Sequence, residues 1–103
     1  MAVVYITEFE RLAREEFGTN VIQTPLEPAL AHQTVAIGAS SVNSATLDPR
    51  TRLIRLHTDA ICHIDVGESP SASVGKRRFP ANAIEYVGIP AGVSYKIAVI
   101  TGT

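Results

Sequence analysis

The sequence predicts an all-β fold, an antiparallel β-sandwich or jelly roll, with a short N-terminal helix and an extended arm in front of it. Three observations predict it. From Thr34 onward, short runs rich in Val and Ile are separated by Ser, Asn, Gly, Asp and Pro, the texture of strands joined by turns. No helical pattern lies between those runs, which favours antiparallel sheets over a parallel sheet with crossover helices. The chain has 103 residues, 46% of them hydrophobic, enough for one domain with one sizeable core. Within that domain the reading places the helix and arm over residues 1–33 and the β-sandwich core over 34–103.

The helix is predicted from YITEFERLAREEFGTN. Thr7 can cap a first turn with its hydroxyl while Glu10, three residues on, reaches back to the Thr7 amide, the pattern of a capping box. Phe9, Leu12, Ala13 and Phe17 then share a helical face, and Gly18 is placed to end the helix in the left-handed conformation. The spacing predicts a helix over 8–17. A helix of about ten residues is marginal alone in water, so its phenylalanines must dock on something. In the following NVIQTPLEPALAHQT, Pro25 and Pro28 remove amide donors and bias Thr24 and Glu27 toward extended backbone. Residues 19–33 read as an extended arm that packs along its own domain or reaches to a neighbour.

The predicted strands are TVAIG (34–38), SATLD (44–48), TRLIRLHT (51–58), AICHIDVG (60–67), IEYVGI (84–89) and YKIAVIT (95–101). DPR at 48–50 and IPAG at 89–92 are turns, proline presetting the backbone angle. Residues 69–83 form a longer loop with room for a short strand around Arg78. There is no repeat at a fixed period and no low-complexity tract.

The densest cluster of chemistry-bearing side chains is RLIRLHTDAICHIDV. Ile54, Leu56, Ala60, Cys62, Ile64 and Val66 have even parity, and alternate side chains on a pleated strand share a face, so this set is the expected core side. Arg55, His57, Asp59, His63 and Asp65 fall on the odd side, with Leu53 and Ile61 as apolar exceptions to be covered by the arm or a partner. Cys62 reads as a small buried apolar residue. On one straight strand His57 lies about 20 Å from His63; a reversal near Thr58 and Asp59 would bring them opposite each other. Neither arrangement supplies the three or four ligands at recognised spacings that zinc requires.

Other chemistries are excluded on similar grounds. GESPS at 67–71 begins like a nucleophile elbow, but Ser71 stands at the second glycine position and Pro70 follows Ser69. VGKRR at 74–78 contains Gly-Lys, but Pro70 replaces the first glycine of a phosphate loop and Arg77 its Ser or Thr. The carboxylates Asp48, Asp59, Asp65, Glu68 and Glu85 show no spacing that singles out an acid and base pair. The formal charge of -1 argues against a general hold on nucleic acid, and three Tyr, three Phe and no Trp make a poor stacking platform. One cysteine excludes an internal disulfide, no run reaches the ~18 apolar residues of a membrane span, and no leader pattern stands at the start. The expectation is a non-enzymatic protein made in a cytoplasm, with no cofactor, metal, nucleic acid or membrane partner.

The succession of a short helix, the EPALAHQTVAIG arm, the TRLIRLHTDAICHIDVGESPSA core and RFPANAIEYVGIPAGVSYKIAVI resembles small structural proteins encoded in the head-gene region of tailed bacteriophages and prophages. The parts that carry the resemblance are Arg55-x-x-x-Asp59-Ala60-x-Cys62-His63, the Gly67-x-x-Pro70-x-Ala72 turn, Pro80-Ala81-Asn82 approaching Tyr86, and the Pro90-Ala91-Gly92 turn. They cover most of the chain and include no catalytic residue; residues 73–79 fit the pattern least and take no role from it. The resemblance implies a virion component synthesised in the bacterial host cytoplasm, a capsid decoration or cement protein. It implies a dimer or trimer whose helix and arm (Thr19 to Gln33) cross to a neighbouring subunit or to a major capsid protein. The residues expected at such contacts are Phe9, Leu12, Phe17, Leu26, Leu30, Leu53 and Ile61. The alternative, of a different class, is a binding or adaptor module, a head-tail or tail component or a carbohydrate-binding β-sandwich, contacting its ligand through the 68–83 loop.

Overall fold

The computed structural model describes residues 2–14 and 21–102, and within them every regular element is a strand. In chain order these are β1 (Val3–Phe9), β2 (Leu12–Arg14), β3 (Val21–Pro25), β4 (Ala31–Ala36), β5 (Val42–Asn43), β6 (Leu53–Thr58), β7 (Cys62–Gly67), β8 (Arg77–Phe79), β9 (Ala83–Gly88) and β10 (Lys96–Thr101). One four-stranded sheet has the order β4-β1-β6-β9, a second has the order β5-β10-β7-β8, and β2 pairs with β3 in a two-stranded ribbon. Every strand pair is antiparallel.

The expected helix over 8–17 is not formed. Glu8 and Phe9 end β1, Leu12 to Arg14 are β2, and positions 15–17 lie outside the described residues. The local capping pattern loses to alternation: in VVYITEF the β-branched residues suit a pleated surface, and Val4, Ile6 and Glu8 are buried while Tyr5 between them is exposed. β1 occupies the centre of its sheet, with Tyr5 opposite Thr34 on one side and His57 on the other. A central strand gains two ladders of hydrogen bonds and a share of the core, far more than a marginal helix offers.

The remaining strands follow the sequence pattern with shifts at their ends. β4 begins at Ala31, ahead of TVAIG, because its register with β1 runs on to Glu8 opposite Ala31. SATLD is not a strand; it follows the two-residue β5 and is held beside β10 by the Ser44 amide to Ile97 O (2.7 Å) and the Leu47 amide to Tyr95 O (2.9 Å). Among the described residues, two chain reversals take a left-handed backbone and have residues suited to it, Asn82 (φ 59°) before β9 and Gly92 (φ 77°) in the IPAG turn.

The two four-stranded sheets face each other across one core, a sandwich-like arrangement. Val4, Ile6, Val35, Ile54 and Leu56 from the first sheet meet Cys62, Ile64, Phe79, Ile97 and Val99 from the second, with Leu47 and Ile89 closing the cluster from flanking segments. Each such side chain contributes roughly 1.5–3 kcal/mol on burial. The even-parity expectation holds for Ile54, Leu56, Cys62 and Ile64, all buried. β6 and β7 are consecutive but belong to different sheets, so His57 and His63 are neither on one straight strand nor opposite each other.

The open sides of the sandwich are latched by side chains. On the β4 and β5 side the Gln33 amide donates to Ala45 O (3.4 Å) and accepts from Ala45 N (3.1 Å), acting as a stand-in for a strand backbone. On the β8 and β9 side Arg77 reaches Glu85 at 3.3 Å. The first described residues and the end of β10 meet at one edge, where Ile37 N donates to Ala2 O and Thr101 N to Gly38 O.

The β2-β3 ribbon prolongs the β1-β4 hairpin beyond the sheet. Leu30 N donates to Glu8 O at 2.7 Å and Leu26 N to Arg11 O at 2.9 Å, so the two legs remain paired past the sheet boundary. Beyond that base, β2 and β3 pack substantially only on each other, and the principal extents of the protein, 49 × 27 × 22 Å, reflect the projection. The segment read as an extended arm is therefore one leg of a projecting hairpin over residues 21–30, while Ala31 to Gln33 belong to β4 in the sheet.

Candidate interaction surfaces

The exposed side of the β4-β1-β6-β9 sheet carries two rows of side chains. Register places Thr34, Tyr5, His57 and Ile84 across the four strands in one row, and His32, Thr7, Arg55 and Tyr86 in the next. Tyr5 and His57 stack with ring centroids 5.7 Å apart and planes 20° apart. Tyr5, Ile84 and Tyr86 are 44%, 52% and 52% exposed, unusual for large apolar side chains set close together on one sheet face. Tyrosine and arginine are among the residue types enriched at the energetic centres of protein contact surfaces.

Where the hairpin leaves the sheet, an apolar groove opens between its base and this face, lined by Leu12, Pro25, Leu53, Tyr86, Val87 and Gly88. Two of the contact residues expected from sequence, Leu12 and Leu53, thus come together, both half-buried. The others are scattered: Leu26 and Ile61 are each 36% exposed, Leu30 is half-buried, and Phe9 is 3% exposed and so spent inside this chain. Phe17 lies outside the described residues. Sequence reasoning missed Tyr5, Ile84 and Tyr86; the available signal was the placement of large residues at alternate positions of VVYIT and AIEYVG, with Glu85 between the last two.

In the histidine- and aspartate-rich segment, Asp59, Cys62, His63 and Asp65 serve the structure of the chain. Asp59 accepts a 2.8 Å hydrogen bond from Val3 N, fixing the start of β1. Cys62 is fully buried, and burial, with Asp59 nearby, pushes its thiol up to about 11. His63 departs from the expected exposed side: it is 5% exposed because the loop after β7 folds back across the outer face of the second sheet. That strap is held by His63 Nδ1, 3.2 Å from Lys76 O, and by Asp65, whose Oδ2 accepts from Ser71 N at 3.1 Å and lies 3.8 Å from Lys76 Nζ. Ala72 N donates to Ser41 Oγ at 2.9 Å, and Pro70 and Ala72 are the buried residues of the strap itself.

Glu8 is the other polar group that sequence reasoning passed over. It is 1% exposed, and its carboxylate accepts from Asp48 N (2.7 Å), Thr51 Oγ1 (2.8 Å) and Gln33 Nε2 (3.1 Å). Three donors satisfy the buried oxygens, so Glu8 is a structural acceptor that ties β1 to the DPR turn and to β4. Among the described residues no three His, Cys, Asp or Glu side chains gather as ligands for a metal ion.

Comparison with protein-family models, with curated proteins and with solved structures returns no match.

Proposed function

We propose that this chain is a non-enzymatic structural protein of a bacteriophage virion, a capsid decoration or cement protein that stabilises a head lattice through repeated contacts with itself and with a major capsid protein. The observation that carries the reading is the projecting β2-β3 hairpin with the apolar groove at its base, a device for reaching a neighbour. The described polar clusters are occupied in holding strands and loops together, which suits a protein that works by shape. The sequence resemblance to phage head-region proteins points the same way.

The strand order supports a finer reading of the fold. We read β4-β1-β6-β9 facing β5-β10-β7-β8 as jelly-roll order, in which β1 takes the place that the strand following β10 would fill. The meeting of Ala2, Ile37, Gly38 and Thr101 makes that exchange sterically simple. Jelly rolls recur in viral capsid domains, which lends support by analogy of fold alone. The adaptor or carbohydrate-binding alternative draws less from the geometry, since the 68–83 loop is strapped onto its own sheet and Lys76 and Arg77 face Asp65 and Glu85.

The test is association with particles. An epitope-tagged copy, expressed in cells that are producing the phage or induced prophage that encodes it, is expected to band with heads in a density gradient, and to lose that association when residues 11–29 are replaced by a short turn. A tagged protein found wholly at the top of the gradient contradicts the proposal.

A further inference from the structure

We infer that a second copy of this chain pairs along the open edge of β9, antiparallel, with Tyr86 opposite Tyr86 of the second copy and Ile84 seated over Gly88 of the second copy. This deepens the proposal that the protein acts by repeated contacts and rests on it. Ile89 N donates to Arg52 O at 2.8 Å. In an antiparallel ladder, hydrogen-bonded pairs alternate, so Val87, Glu85 and Ala83 face β6 and the N–H and C=O groups of Ile84, Tyr86 and Gly88 point to the open side. Proteins blunt such edges with short strands, basic residues, prolines or a covering segment. The other three edges have one of these: β5 is two residues long, β8 is three residues with Arg77 and Arg78 and is followed by Pro80, and β4 is flanked by Ala45 held on Gln33. β9 is six residues, AIEYVG, with no basic residue or proline, and its one charge, Glu85, is met by Arg77 of its own chain at 3.3 Å.

The geometry also selects the register. Hydrogen-bonded pairs across a two-fold axis must join 84, 86 and 88. Centring on Glu85 sets like charges opposite each other. Centring on Val87 pairs Ile84 with Pro90, which has no N–H, and centring on Ile84 runs into the turn at Asn82, whose φ is 59°. Centring on Tyr86 keeps all three residues within the strand and sets Ile84 opposite Gly88. Gly88 has open space where a side chain would stand and adjoins Leu53, Leu12 and Tyr86 in the groove, so the 52%-exposed Ile84 side chain of one copy fills the notch of the other, twice over. Glu85 is met by Arg77 in its own chain at 3.3 Å, so the axis brings no unpaired carboxylates together. A self-complementary patch of this kind is what a two-fold interface requires.

Sedimentation equilibrium on the purified full chain is expected to give twice the 11.0 kDa chain mass. Ile84→Lys and Gly88→Leu, both at positions open to solvent, are expected to halve that mass while leaving thermal unfolding of the monomer intact. Tyr86→Cys is expected to form a covalent dimer on mild oxidation, since hydrogen-bonded pairs stand about 5.5 Å apart at Cα, within disulfide reach, and Cys62 is buried. Adding Ile84→Lys to that variant is expected to abolish the cross-link. A chain that stays at 11.0 kDa at high concentration, its β9 edge left for a strand of a different protein, overturns the inference. An oligomer whose mass Ile84→Lys leaves unmoved also overturns it, while the structural role stands or falls separately on banding with heads.

Discussion

The Thr51 hydroxyl donates a 2.8 Å hydrogen bond to the Glu8 carboxylate across 43 residues of sequence, joining the centre of one sheet to the turn that feeds β6. Because Asp48 N and Gln33 Nε2 share the same acceptor, one buried side chain sets the position of β1, β4 and the DPR turn together. Glu8→Leu is expected to leave three donors unpaired and to cost about 3–5 kcal/mol, read from the denaturant midpoint. Glu8→Gln keeps an acceptor but turns an amide donor toward a donor, and is expected to cost about 1–2 kcal/mol. Equal stability of both variants with wild type would show that the network contributes nothing.

Cys62 gives a signature in alkaline solution. Its folded thiol titrates near 11 against an ordinary 9.0, so the native state holds its proton after the unfolded state has released one. The associated stability is fully present below pH 9 and is lost as pH rises toward 11, by on the order of 2 kcal/mol. Cys62→Ala is expected to flatten that part of the stability-against-pH curve while lowering stability at neutral pH through the cavity it leaves. Alkylation of the native protein at pH 8 should be slow and limited by opening of the core.

The strap over the second sheet depends on Asp65. Asp65→Ala removes the acceptor for Ser71 N and the partner of Lys76, and is expected to leave global stability within about 1 kcal/mol because the ion pair is partly exposed. Trypsin cleavage after Lys76 should quicken several-fold, with exposure of the His63 ring detectable by its chemical shift. An unchanged cleavage rate would mean that burial of Pro70 and Ala72, with the His63 and Ser41 contacts, holds the loop without Asp65.

Leu56 is fully buried where the two sheets meet. Leu56→Ala is expected to cost about 2–5 kcal/mol in a denaturant titration. A loss below 1 kcal/mol would place the shared core elsewhere.

Strands β6, β7, β9 and β10 were legible because their apolar residues fall at alternate or adjacent positions, are rich in Ile and Val, and are bounded by Asp-Pro, Gly or Pro. The N-terminal strand was not, because Thr7, Glu10 and the Phe9, Leu12, Phe17 spacing satisfy helical rules locally, while the partners that make Val3–Phe9 a central strand lie 23 to 54 positions away in β4 and β6. Glu8 was passed over for the same reason, since its three donors come from Gln33, Asp48 and Thr51. His63 was assigned to the solvent side by a parity argument that holds for the strand and ignores the loop folded over it. Leu12 and Leu53, read from the sequence as contact candidates, line one groove; Tyr86, which completes it, depends on pairing of β9 with β6 and could not be placed without it.

The most direct measurement of the central claim is the copy number of this protein in purified particles, taken by quantitative mass spectrometry against the major capsid protein. A decoration protein is expected at a fixed ratio to that subunit, over the whole lattice, and the ratio should fall to zero when the hairpin is removed. Copies amounting to a single ring would mark an adaptor at the head-tail junction, and absence from particles would contradict a virion role altogether.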